Sequence, residues 1–154
     1  GIYEPSITRF GDKYYLCMRT DDSGFGAVSD DGLHFGEARE LCFDDGEILG
    51  SYNTQQHWIA SPDALYIVYT RRGAGNDHVF RHRAPLFAAR VENMRLMRDS
   101  EFVVVAERGA RLGNFGVSSY KDSQAVVMAA EWMQPIGCEA YGSDNSIFIS
   151  IIGK

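Results

Sequence analysis

Three segments of the chain lie over one another without a gap: EPSITRFGDKYYLCMRT (residues 4–20), QHWIASPDALYIVYTRR (56–72) and NFGVSSYKDSQAVVMAA (114–130). Each reads as a strand, a turn carrying Asp, and a second strand rich in apolar residues, which together make a β-hairpin. A third strand-like run follows each hairpin: GFGAVSDDGLHF, APLFAARVENMRL and NSIFISIIGK. The first two continue into a fourth, ARELCF and SEFVVV. Units of roughly 50 residues with three or four strands have the length of propeller blades, so this repeat constrains the fold more than composition does. Nowhere does an apolar stripe of helical period run with caps at its ends. The expectation is an all-β chain, a β-propeller with blades at approximately 1–50, 51–109 and 110–154 in one domain. A β-sandwich with coincidentally similar hairpins is the alternative.

Blade topology then gathers residues that are scattered in sequence. The inner strand starts at one face, turns at the opposite face, and the second strand returns to the first face before the third begins. Starts of first strands, ends of second strands and starts of third strands therefore share a rim. The repeat sets Glu4, Gln56 and Asn114 at equivalent first-strand starts, beside Pro5, His57 and Phe115. It sets Arg19 and Arg71 at equivalent second-strand ends, with Glu131 just past the third. The second-to-third connection of the second blade, RRGAGNDHVFRHRAP (71–85), rises on the same rim and holds Arg71, Arg72, Arg81, Arg83, His78, His82 and Asp77. Gly73 and Gly75 are candidate hinges for that loop.

The 154-residue chain is acidic overall, with a net charge of −6, which argues against nucleic acid or an anionic membrane as its main partner. So dense a basic loop in an acidic chain is expected to act locally, as an anion site in a funnel mouth; a solvated basic loop is the plain alternative. With 45% hydrophobic and 23% charged residues the composition suits a domain with a core. The three cysteines, Cys17, Cys42 and Cys138, are too widely spaced to signal a zinc site or a disulfide framework. His78 and His82 leave metal binding open, although the leading expectation is no metal and no cofactor. No apolar run is long enough to span a bilayer, and none of these residues reads as a signal peptide. The chain opens on GIYEPSITRF without an initiator Met, and it is expected to be a partial chain.

SDDGLHF (29–35) fits the S-x-D-G-x-T-W pattern of the Asp box at Ser29, Asp31 and Gly32, with Phe35 in the aromatic place and His34 in place of Thr. Together with YEPSITRFGDKYYLCMRT, this resembles the sialidase superfamily of six-bladed propellers. The resemblance implies about half of such a ring, its C-terminal part, with the remaining blades supplied by further chain or another copy. It implies Glu4 as the acidic partner of the nucleophile and Arg19 as one of three arginines clamping a substrate carboxylate. HRAPLFAARV is similar to the strand that supplies another clamp arginine, which makes Arg83 the match and Arg81 the reserve. It also implies a secreted or periplasmic setting. The family's nucleophile is a Tyr, and here the comparable stretch LGNFGVSSYKD offers Asn114 and Phe115; Tyr120 falls near the far-side turn.

Candidate catalytic residues are therefore Glu4, His57 and Glu131. Candidate substrate-binding residues are Arg19, Arg71, Asp77, His78, Arg81, His82, Arg83, Gln56 and Asn114. Trp132 is a candidate sugar platform, whereas Arg108 and Arg111 read as parts of a solvated loop. The leading function is a carbohydrate-active hydrolase, exo-sialidase in type, acting on an acidic sugar or glycan. A lyase on uronate-containing polysaccharide, with His57 or a Tyr as base, and a non-catalytic glycan-binding propeller are the alternatives.

Overall fold

A computed structural model describes residues 1–153, and its strands form three successive sheets, antiparallel except for one short pair in the second. In the first, β1 (Tyr3–Phe10), β2 (Lys13–Arg19), β3 (Gly24–Ser29) and β4 (Arg39–Glu40) pair in chain order. The β1–β2 turn works because Gly11 adopts a positive φ of 59°, which a glycine enters without Cβ strain. Between β3 and β4 the Asp31 carboxylate accepts the backbone N–H groups of Leu33 and His34, each at 2.8 Å, and the Ser29 hydroxyl at 3.0 Å. Those bonds, led by His34, hold its carboxyl well below the usual Asp range. Asp31 is thus a turn-former, as its short acidic side chain allows.

The run ARELCF, expected as one fourth strand, divides. After β4 the chain crosses over, and β5 (Cys42–Phe43) pairs in parallel with β9 (Arg95–Leu96) of the second sheet. Phe43 is buried there, and Arg98 stacks over its ring at 3.5 Å, so burial of one aromatic decides where this short strand goes. The second sheet contains β6 (His57–Ala60), β7 (Leu65–Tyr69) and β8 (Leu86–Glu92), with β9 and β10 (Phe102–Val105) both on β8.

The third sheet has β12 (Gly116–Tyr120), β13 (Gln124–Trp132) and β14 (Ile147–Ile152) in order. β11 (Arg111–Leu112) pairs with the end of β13, opposite Glu131 and Trp132. β11 and β12 are thus two halves of one inner strand, interrupted at residues 113–115. These are propeller blades, and no α-helix occurs among the described residues.

Two cores lie between the sheets. One joins the first and second through Cys17, Leu41, Phe43, Trp58, Ile67 and Tyr69. The other joins the second and third through Ile59, Val68, Leu86, Phe115, Val127 and Ala129. Ile67 and Val68 are consecutive on β7 and serve opposite cores, as the period of two in a strand requires. Burying Ile67 alone removes enough apolar surface for about 2 kcal/mol. Among the described residues no helix is long and apolar enough to cross a membrane.

Candidate functional site

The strand ends converge as blade topology demands. Tyr3 and Arg19 are cross-strand partners, and Arg19 Nε donates to Glu4 Oε2 at 2.6 Å, with its guanidinium over the Tyr3 ring at 4.9 Å. Glu4 takes a φ of +48°, at a register shift between Tyr3 and Ser6. A side chain rarely occupies that region, so Glu4 is held there by the bulge and its arginine. His57 heads β6 and meets the Phe115 ring edge-on at 5.2 Å. Burial lowers its pKa below 6.5, against the opposing pull of the Glu4 charge, so the imidazole is neutral at pH 7.

Arg83 and Arg111 form the centre. Arg83 is 7% exposed and Arg111 5%, and no salt bridge joins either to an acid among the described residues. Their backbones are tied together by the Leu112 N–H, which donates to the Arg83 carbonyl at 3.0 Å. Arg83 Nη2 donates to Asn114 Oδ1 at 2.7 Å, but the Nε groups of both arginines are buried without a hydrogen-bond partner. Desolvation lowers the Arg83 pKa to about 10, helped by the neighbouring charge of Arg111 and resisted by that of Glu4. Arg111 lies over the Trp132 ring at 3.5 Å and near Phe80 at 5.1 Å. Those rings are themselves 53% and 44% exposed, so the guanidinium is covered by a thin aromatic lid rather than embedded in the core.

Arg81 completes the group, at a φ of +58°, with its charge felt by both Arg83 and Arg111. The basic loop is folded from inside by Asn76, whose Nδ2 donates to the carbonyls of Arg71 (3.0 Å), His82 (3.4 Å) and Ala84 (2.7 Å).

Glu4, Arg19, His57, Arg81, Arg83 and Asn114 therefore come together. The other residues expected at the rim have different engagements. Arg71 forks onto Glu101, through Nε at 2.8 Å and Nη2 at 2.6 Å, and Tyr69 donates to the same carboxylate. Glu131, with a side chain only 2% exposed, accepts the backbone N–H groups of Asp144 and Ser146 and faces Arg108 at 3.7 Å. A carboxylate pinned by two amides is a brace for the 144–146 turn, not an acid poised toward the rim. Gln56 is buried and donates to Ser51 Oγ and the Thr54 carbonyl, forming part of the wall.

His78 bonds Glu107 at 2.8 Å and stacks on Tyr141. Asp77 is solvent-exposed 3.6 Å from His82, whose ring abuts Tyr52. Among the described residues no group of three His, Cys, Asp or Glu side chains could hold a metal ion. Arg111 and Phe80 are the site residues that sequence reasoning missed. The available signal was the flanking pair Ala110 and Leu112, both buried, which marks Arg111 as part of a strand rather than a loop.

No family model and no curated protein matches the chain at a significant level. Among solved structures it is similar to a thermostable family-43 glycoside hydrolase, with a TM-score of 0.61 and 14% identity, over 85% of this chain and 42% of that one. The chain thus spans less than half the length of the protein it matches. At this identity the likeness carries the fold, and with the three successive sheets it shows an all-β propeller architecture.

Proposed function

We propose that the rim binds an acidic sugar and belongs to a carbohydrate-active hydrolase. The observation that carries this reading is the buried, acid-free arginine pair Arg83 and Arg111. A buried charge left unpaired costs several kcal/mol, roughly, in the effective penalty per ion, and a ligand anion removes that cost. Arginine forks suit such a ligand because they grip oxyanions through parallel charge-assisted bonds. Trp132 and Phe80 offer ring faces to the apolar side of a sugar. Glu4, oriented by Arg19, and the neutral His57 are the acid and base groups within this rim. The likeness to a glycoside hydrolase supports cleavage of a glycosidic bond with water as the reaction class.

The narrower exo-sialidase reading, with Arg19 and Arg83 clamping a carboxylate and a Tyr activated by Glu4, has less support. Arg19 is already held by Glu4 and faces Asp21 at 3.7 Å. No tyrosine hydroxyl bonds Glu4 among the described residues. The clamp is better built from Arg83 and Arg111. One observation favours a uronate lyase as second reading: His57 is held neutral, as a base that removes a proton must be.

Mass spectrometry of products from a panel of acidic oligosaccharides separates the readings. Products that gain a water support hydrolysis, unsaturated products without added water support the lyase, and bound but unchanged substrate supports a binding propeller. Arg83→Gln and Arg111→Gln should abolish turnover and binding together; full activity in both variants would overturn the site.

A further inference from the structure

The rim holds three arginine charges with no acid beside them among the described residues. Arg19 and Glu4 close on each other at 2.6 Å and leave almost no net charge. Arg83, Arg111 and the exposed Arg81 remain, and none has an acidic partner within salt-bridge distance among the described residues. Two of these three are more than nine-tenths buried.

Arg83 commits Nη2 to Asn114, and its Nε is buried without a partner. Arg111 makes no side-chain hydrogen bond among the described residues: Trp132 and Phe80 lie against its guanidinium, and its Nε is buried without a partner. The two forks come from separate backbones, the end of the basic loop and β11, joined at the bond from the Leu112 N–H to the Arg83 carbonyl. A carboxylate offers two oxygens in one plane and one negative charge. A phosphate group offers three or four oxygens in a tetrahedron and about two charges at neutral pH.

We propose that the anionic group this rim takes is a phosphate dianion, as the free ion or as a sugar monoester, rather than a planar carboxylate. The sugar in that ligand rests on the acidic-sugar reading above; the oxyanion rests on the arginines alone. Each buried guanidinium receives its own oxygen, the charge of the buried pair is balanced, and Arg81 closes from the solvent side.

The test is isothermal titration of the intact chain at constant ionic strength with inorganic phosphate, sulfate, glucose 6-phosphate and glucuronate. Phosphate should bind at least about tenfold tighter than glucuronate, as a doubly charged ligand on charge-assisted bonds does. The affinity of glucose 6-phosphate should rise from about pH 5.5 to about pH 7.5 as the second proton of the monoester leaves at about pH 6, and that of inorganic phosphate, a weaker second acid, should rise at higher pH. Sulfate, already doubly charged, should not follow that rise. His57, His82 and Glu4, the titratable groups on the rim, would move both ions alike. Arg83→Gln and Arg111→Gln should each cost about tenfold or more, while Arg90→Gln, an exposed residue paired with Glu92, should cost nothing.

Glucose 6-phosphate binding well above free phosphate identifies the monoester as the form taken, and equal binding identifies the free ion. Glucuronate binding as tightly as phosphate overturns the proposal and leaves the acidic-sugar reading standing. Cleavage of neutral oligosaccharides with no anion bound overturns both. Should either variant fail to fold, the rise in wild-type Tm with phosphate against glucuronate reads the same preference. An equal rise with both would refute it.

Discussion

Arg111 and Trp132 stand directly opposite each other across the β11–β13 pair, and that register alone turns a loop arginine into a buried one. In sequence, ERGARLGN reads as a solvated basic loop, because its aromatic partner lies on another strand. Arg83 is legible as a rim group because the basic loop must return to the same face as Glu4 and Arg19. Replacing Arg111 with Met should remove anion binding while leaving Tm unchanged or a few degrees higher. Exchanging a buried charge for an apolar side chain is often neutral or stabilising, by about 1–4 kcal/mol. Thermal unfolding with parallel titration checks both halves, and a large drop in Tm would show that the stack on Trp132 is structural instead.

His57 should titrate below 6.5 in a proton NMR experiment. Because its folded value lies below its unfolded one, its contribution to stability is present above pH 6.5 and is lost as pH falls through the folded value. A midpoint above 6.5 would mean that Glu4 dominates over burial.

The hairpins were readable because their information is local: alternation of apolar residues, and turns at Gly11, Ser61–Asp63 and Lys121–Asp122. The basic loop was not, because its shape depends on one buried side chain. Asn76→Ala removes three bonds to carbonyls, two of them in the segment that presents Arg81 and Arg83. It should destabilise the chain by about 1–3 kcal/mol, measured by urea unfolding, and weaken anion binding without touching the anion.

Arg71 was equally illegible, since its partner Glu101 lies thirty residues away, just before β10. Burial pushes the Glu101 carboxyl up, but hydrogen bonds from Arg71 and Tyr69 and the Arg71 charge more than offset this, leaving it below 4.5. That stability is present above pH 4.5 and lost as pH falls through the lowered value. Glu101→Gln should cost about 3 kcal/mol at pH 7, since it strands a half-buried guanidinium. A cost that does not shrink between pH 7 and pH 4 would contradict this linkage.

At the scale of the molecule, the second sheet is common to both cores, so the three sheets should unfold together. Trp58 sits in the first core, and Trp132 stands at the rim of the third sheet. Val127→Ala, in the second core, should cost about 2–3 kcal/mol. The loss should appear at the same denaturant midpoint in variants that keep only Trp58 or only Trp132. Separate midpoints would show that the third sheet opens on its own.

The repeat determined from sequence alone that this chain is all-β and where its strands lie, because strand and turn propensities act over a few residues and recur three times. It also placed Glu4, Arg19, His57 and Arg83 on one face, since topology needs only the strand order. The tertiary structure decided which polar groups are free to act there. Arg19, Arg71 and Glu131 look alike in sequence as strand-end charges, yet Arg19 holds Glu4, Arg71 holds Glu101 and Glu131 holds backbone amides. Whether a charge is paired depends on cross-strand register and on partners up to tens of residues away. That is why the unpaired couple, Arg83 and Arg111, emerged only in three dimensions.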